Sequence, residues 1–197
     1  MRKNLIVYTL TIVAMFFAGC SKLPQAEIDA ARAALDQAKT AQADLFLEND
    51  FLALQDSLNA AVVAVEAGKS KMFGSFSDEK ARLTDISTRA AELVAKVGTR
   101  KEEIKIEIAS AQASVTAMLE ENASLLAQAP KGKEGKEALE AIKLDIDGIS
   151  SSMAEVPSLL AGGDILAAQT KIRAAQEKAT EINTELKTVL EKYLSKK

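Results

Sequence analysis

The apolar positions of the chain recur at helical spacing over most of its length. The strongest run comes last: Ile165, Ala168, Ile172, Ala175, Ala179, Ile182, Leu186, Val189 and Tyr193 follow one another in steps of 3 and 4 residues. Leu139, Ile142, Ile146, Ile149, Met153, Val156 and Leu160 step the same way. Such spacing puts all the apolar side chains on one stripe of a helix, the seam of helices packed as in a bundle or coiled coil. Between the two runs lies Ala161-Gly-Gly-Asp164. Its glycines suit the end of one helix and Asp164 the cap of the next, so the pair should fold back on itself. Pro157 is expected to kink the first helix of the pair or end it early.

Four shorter patterns precede these. Pro24 suits a first helical turn, and Ile28, Ala31, Leu35, Ala38 and Leu45 mark a face that Gln42 interrupts. A second face, Phe51, Leu54, Leu58, Ala61 and Val65, stops at Gly68. A third, Leu83, Ile86, Ala90, Leu93 and Val97, starts from Ser75 or Ser77 and stops at Gly98, as a turn or as a bend in a longer helix. The fourth opens with Thr99-Arg-Lys-Glu102, which reads as a capping box, and continues through Ile104, Ile108, Ala111, Val115, Met118 and Leu125. Asn122 occupies a seam position there, either as a residue that fixes register or as a tolerated edge position. No strand pattern of useful length interrupts this series. The expected fold is therefore all-α, with about six antiparallel helices. They would form one elongated bundle or two three-helix units, residues 24–98 and 99–197. A repeat fits the second arrangement: Ala67-Gly68 precedes Thr84-Asp-Ile-Ser-Thr88, and Ala161-Gly162 precedes Thr180-Glu-Ile-Asn-Thr184.

The start of the chain departs from this pattern. In MRKNLIVYTLTIVAMFFAGC, Arg2 and Lys3 are followed by thirteen residues, Leu5 to Phe17, that are nearly all apolar. As a helix that run reaches only about 20 Å, short of the ~30 Å hydrocarbon core. A basic start, a short apolar run and small residues before a cut describe a secretory signal rather than a span. The small residues are Ala18 and Gly19, directly before Cys20, the only cysteine. This arrangement resembles the bacterial lipoprotein signal. The resemblance implies cleavage between Gly19 and Cys20, a diacylglycerol thioether and an N-acyl chain on Cys20, and a short lipidated linker at 20–23. Two or three chains make such an anchor stable, where one would bind only reversibly. In that family a serine after the cysteine, as at Ser21, permits transfer to the outer membrane. The implied address is the periplasmic face of that membrane in a cell that has two.

Composition narrows the function of the body. Without Arg2 and Lys3, 23 basic residues stand against 28 acidic ones, a net charge near −5. With no basic excess to hold phosphates, nucleic acid is not an expected partner. The chain has no histidine, and acylation of Cys20 would leave no thiol, so the usual nucleophilic and metal-hydrolase constellations lack their parts. Carboxylates such as Glu102 and Glu103 alternate with lysines on polar helix faces and read as solvated charge. No glycine-rich phosphate loop follows a strand. The expectation is a non-enzyme with no cofactor or metal beyond the covalent lipid, carrying a structural or protein-binding body. An alanine-rich seam also admits a carrier of amphipathic ligands.

Two further stretches bear on partners. Lys71-Met-Phe-Gly-Ser-Phe76 places Met72, Phe73 and Phe76 in a turn between helices, as a docking tip or as a plug for the bundle end. The segment AEIDAARAALDQAKTAQADLFLENDFLALQDSLNAA, residues 26–61, resembles a family of small helical bacterial envelope lipoproteins of undefined activity. The resemblance implies a helical hairpin or short bundle in the envelope. The two ends also resemble the murein lipoprotein family, with an acylated start and a terminal lysine near a tyrosine. That resemblance implies attachment of the Lys197 side chain to peptidoglycan, although the Tyr-Arg-Lys ending of that family is absent.

Overall fold

The computed structural model describes residues 23–69, 75–130 and 136–195. Among them, six helices and no strand occur: α1 (Gln25–Thr40), α2 (Ala43–Phe46), α3 (Glu48–Gly68), α4 (Ser77–Gln128), α5 (Lys136–Ala161) and α6 (Ile165–Leu194). The fold is all-α, and the chain divides into two compact units, Met1–Arg100 and Lys101–Lys197.

The helix count matches the reading of the seams, but the division into helices differs in two places. The third and fourth segments are one helix, α4, so Gly98 is neither a turn nor a stop and Thr99 opens no capping box. The reason lies in the phase of the seam. Val97 and Ile104, both buried, are seven residues apart, two full turns, so the apolar stripe crosses Gly98 without rotating. A glycine in a helix interior costs only about 1 kcal/mol relative to alanine, too little to break a helix with a continuous stripe. The second difference is the corner after α1. Gln42 takes a left-handed conformation (φ 74°), and its N–H donates to the Lys39 carbonyl (2.8 Å). This resets the helical phase. Ala43 turns into the core, and Leu45, expected on the buried face, is 57% exposed.

Unit 1 is built on one apolar cluster. α1 contributes Ile28, Ala31, Leu35 and Ala38; α3 contributes Phe51, Leu54, Leu58, Ala61 and Val65; the first part of α4 contributes Leu83, Ile86, Ala90, Leu93 and Val97. Burying each large aliphatic or aromatic member stabilises by roughly 1.5–3 kcal/mol before the ordering entropy is counted. Phe51 joins the cluster near the start of α3. Phe76 joins it at the other end, where its ring lies over Gly68: a Cβ at that glycine would stand 2.6 Å from the ring. Glycine at 68 thus serves the close approach of the ring rather than a turn.

Unit 2 contains the rest of α4 with α5 and α6. Constant offsets give the topology. Glu107 meets Gln169 and Met118 meets Thr180, each 62 residues on, and Asn122 meets Asn183, 61 on. The α4 segment and α6 therefore run parallel. Lys171 pairs with Glu155 (2.7 Å) and Lys178 with Asp145 (3.1 Å), so α5 runs antiparallel to α6. The α5–α6 turn is a Schellman closure. Gly163 sits at φ 81°, its N–H donates to Leu160 (3.1 Å), and the Asp164 N–H donates to Leu159 (2.9 Å). Asp164 occupies the N-cap of α6, yet its side chain makes no capping bond. Pro157 does not end α5, which runs on to Ala161. The proline removes one helical bond only four residues before the helix closes, while Val156 beside it is fully buried.

The two short sequence repeats fall on corresponding helices. Thr84-Asp-Ile-Ser-Thr88 and Thr180-Glu-Ile-Asn-Thr184 both lie on the third long helical stretch of their unit. In each, both threonine hydroxyls donate to the carbonyl four residues back and the isoleucine is buried.

Candidate functional site

Three places bear on function: the beginning of the folded body, the contact between α4 and α6, and the surface between α4 and α5.

Pro24 is fully buried, its carbonyl accepts from the Ile28 N–H (3.0 Å), and the Gln25 N–H turns back to Leu23 (2.8 Å). The starts of α1 and α4 stand together there, because Lys80 pairs with Glu27 at 3.2 Å. Glu27 is held below the ordinary carboxylate range, chiefly by a hydrogen bond from its own backbone N–H; desolvation opposes this, and Lys80 adds to the lowering. The end of α3 reaches the same place through the Gly68–Phe76 contact. Cys20 and Gly19 lie outside the described residues, as do Met72, Phe73 and Lys197. Of the three side chains weighed as a docking tip, Phe76 is described. It is buried in the unit 1 core and so serves there as the plug. Toward Lys197, the expected seam of α6 stops at Leu186: Val189, Tyr193 and Leu194 are exposed.

Among the described residues of unit 2, Asn122 is the fully buried polar one. Its Nδ2 donates to the Ala179 carbonyl (2.9 Å), and its Oδ1 accepts from Asn183 Nδ2 (2.8 Å). Of the two readings of this seam position, the geometry matches the residue that fixes register. A slip of one turn would bury its amide without partners, at a cost of roughly 1–3 kcal/mol. Beside it, Lys187 pairs with Glu121 (2.8 Å). That hydrogen bond holds the Glu121 carboxyl below its ordinary value. Desolvation opposes the lowering, and the Lys187 charge and a bond from Asn183 add to it. Across α5 and α6, Asp145 accepts a hydrogen bond from Lys178 and raises its pKa. The sequence marked Asn122 by its place in an apolar stripe. It gave no sign of Asn183, which looks like any surface residue.

Open apolar grooves lie between α4 and α5. One, of about 440 Å³, is lined by Ala123, Leu126, Ala127 and Leu139, with Lys136, Glu140 and Lys143 on its rim. A second, of about 420 Å³, shares Ala123 and is lined by Leu119, Ile146 and Met153. The α5 positions in these grooves are the seam residues left half-buried, alternating with the buried Ile142, Ile149 and Val156.

Among the described residues, no group of acidic, cysteine or histidine side chains is placed to hold a metal ion. No described helix is long and apolar enough to cross a membrane. No family model, curated protein or solved structure matches the chain.

Proposed function

We propose that the chain is a lipoprotein of the bacterial cell envelope, anchored by acyl chains on Cys20, whose helical body is a structural or protein-binding module. The observation that carries this reading is the stretch from Arg2 to Cys20: a basic start, a short apolar run, then Ala18 and Gly19 before the only cysteine. The position of the folded body supports it. Among the described residues packing begins at Pro24, four positions after Cys20 in the chain. The outward helix faces carry both signs of charge, as a module held in water beside a bilayer requires. Ser21 suits transfer to the outer membrane.

Growth with a labelled fatty acid tests the reading. The parent chain should carry label and sediment with membranes; Cys20→Ala should carry none and be released. Label retained by Cys20→Ala, or a parent without label, would sink the proposal.

The grooves between α4 and α5 favour a second reading, in which unit 2 carries an apolar or amphipathic ligand. Mass spectrometry of the purified body (residues 21–197) decides it: a co-purifying lipid supports a carrier, and a lipid-free body removes it.

A further inference from the structure

We infer that unit 1 meets the membrane end-on. The end formed by the starts of α1 and α4 and the close of α3 faces the bilayer, and the Gln42–Glu48 corner points away from it. This rests on the acylation of Cys20. The occupant is the surface of the bilayer that holds the acyl chains, and the argument is the length of chain between lipid and fold. Only Ser21, Lys22 and Leu23 separate Cys20 from Pro24. Even fully extended they span at most about 14 Å. Pro24 is buried and its carbonyl is committed to the first turn of α1, so no slack is gained by unwinding that turn without loss of core.

The tether therefore fixes which end is near. The Glu27–Lys80 pair brings the start of α4 to the same level as the start of α1. The Phe76 ring over Gly68 brings the end of α3 there too. Leu23 is exposed at this end, and the side chains of Lys69 and Lys80, paired with Glu66 and Glu27, are about half exposed. Aliphatic stems and ammonium groups both find partners in a headgroup layer. The opposite corner lies one helix length away, about 24 Å along α1 and about 31 Å along α3, beyond the reach of the linker.

Acylation makes a direct test available, because it blocks the only native thiol. Single cysteines are introduced at Gln25 and Asp78, near the proposed contact, and at Thr40 and Asn49, near the far corner; all four positions are exposed. The acylated full-length chains are labelled with a fluorescent maleimide and reconstituted into vesicles that contain headgroup-quencher lipids. Labels from Gln25→Cys and Asp78→Cys should be quenched several-fold more than those from Thr40→Cys and Asn49→Cys. Equal quenching at both ends, or stronger quenching at the corner, on a chain shown by mass to be acylated overturns the orientation alone. Reaction of the parent chain with maleimide would show a free Cys20 and overturn the anchor, and the orientation with it.

Discussion

The two units solve the same three-helix problem with different side chains. Unit 1 is closed chiefly by apolar packing, with Phe51 near one end of its cluster, Phe76 at the other and aliphatic layers between, and with the Glu27–Lys80 pair joining α1 to α4. Unit 2 buries no aromatic residue among those described. Its helices are held in register by Asn122, Asn183 and the Ala179 carbonyl, with Lys171–Glu155, Lys178–Asp145 and Lys187–Glu121 along the rim. Shape specifies unit 1, since a phenylalanine plug fits one place. Aliphatic seams repeat every turn and fit several registers almost equally, so unit 2 needs a polar contact to choose one. Open grooves occur on both units: one of about 460 Å³ between α3 and the first part of α4 in unit 1, and those between α4 and α5 in unit 2.

The largest expected effect is in the unit 1 core. Leu83→Ala removes a fully buried side chain and should cost about 2–5 kcal/mol in chemical denaturation, the range for a cavity in a dry core. A loss below about 1 kcal/mol would mean that this core is no tighter than a surface. Next comes the polar pin. Asn122→Ala removes both the bond to the Ala179 carbonyl and the bond from the Asn183 amide and should cost about 1–3 kcal/mol. Asn122→Leu sharpens the test. It should recover most of that stability while broadening the backbone amide NMR signals of unit 2, because register is no longer unique. Sharp single signals in Asn122→Leu would show that the pin does not select register.

Gly68→Ala comes third. The new Cβ would stand 2.6 Å from the Phe76 ring, and displacing the plug should cost about 1–3 kcal/mol. Gly98→Ala should do the opposite. Nothing lies within 4 Å of a Cβ at that position, so the variant should gain about 0.5–1 kcal/mol of helix stability. Destabilisation there would contradict a continuous α4.

The smallest effects are electrostatic and belong to unit 2. The lowered pKa of Glu121 means that its pair with Lys187 contributes above the ordinary carboxylate value and is lost as pH falls through the folded value. The raised pKa of Lys178 means that its contribution is present below the ordinary lysine value and is lost as pH rises through the folded one. Lys187→Met should therefore flatten the acid limb of the stability profile and Lys178→Met the alkaline limb. Both changes should shrink in high salt, because the partners are solvent-exposed.

Much of this fold was legible because the seams are long and regular. The α3 face and the first α4 face were readable residue by residue, since a stripe of large apolar groups at helical spacing has one good way to bury itself. What escaped the sequence was backbone and pairing. Gly98 and Thr99–Glu102 carry local stop and start signals, yet the phase of Val97 and Ile104 overrides them. Gln42 has no propensity for the left-handed region, and only the demands of the corner put it there, which is why Leu45 faces out. The end of the α6 seam was overestimated because periodicity cannot tell whether a partner helix is still opposite: Val189 and Tyr193 keep the pattern and lose the burial. Of the functional features, the cysteine motif was visible as a motif. The Asn122–Asn183 contact and the grooves depend on which helices lie side by side, and no single stretch records that.

The account turns on the chemistry at one sulfur. Intact-mass and peptide analysis of the protein purified from its own membranes reads it directly. The account predicts a chain that begins at Cys20 and carries the added mass of diacylglycerol and one further acyl group. A chain that retains residues 1–19, or one that begins elsewhere with Cys20 as a free thiol, would contradict it.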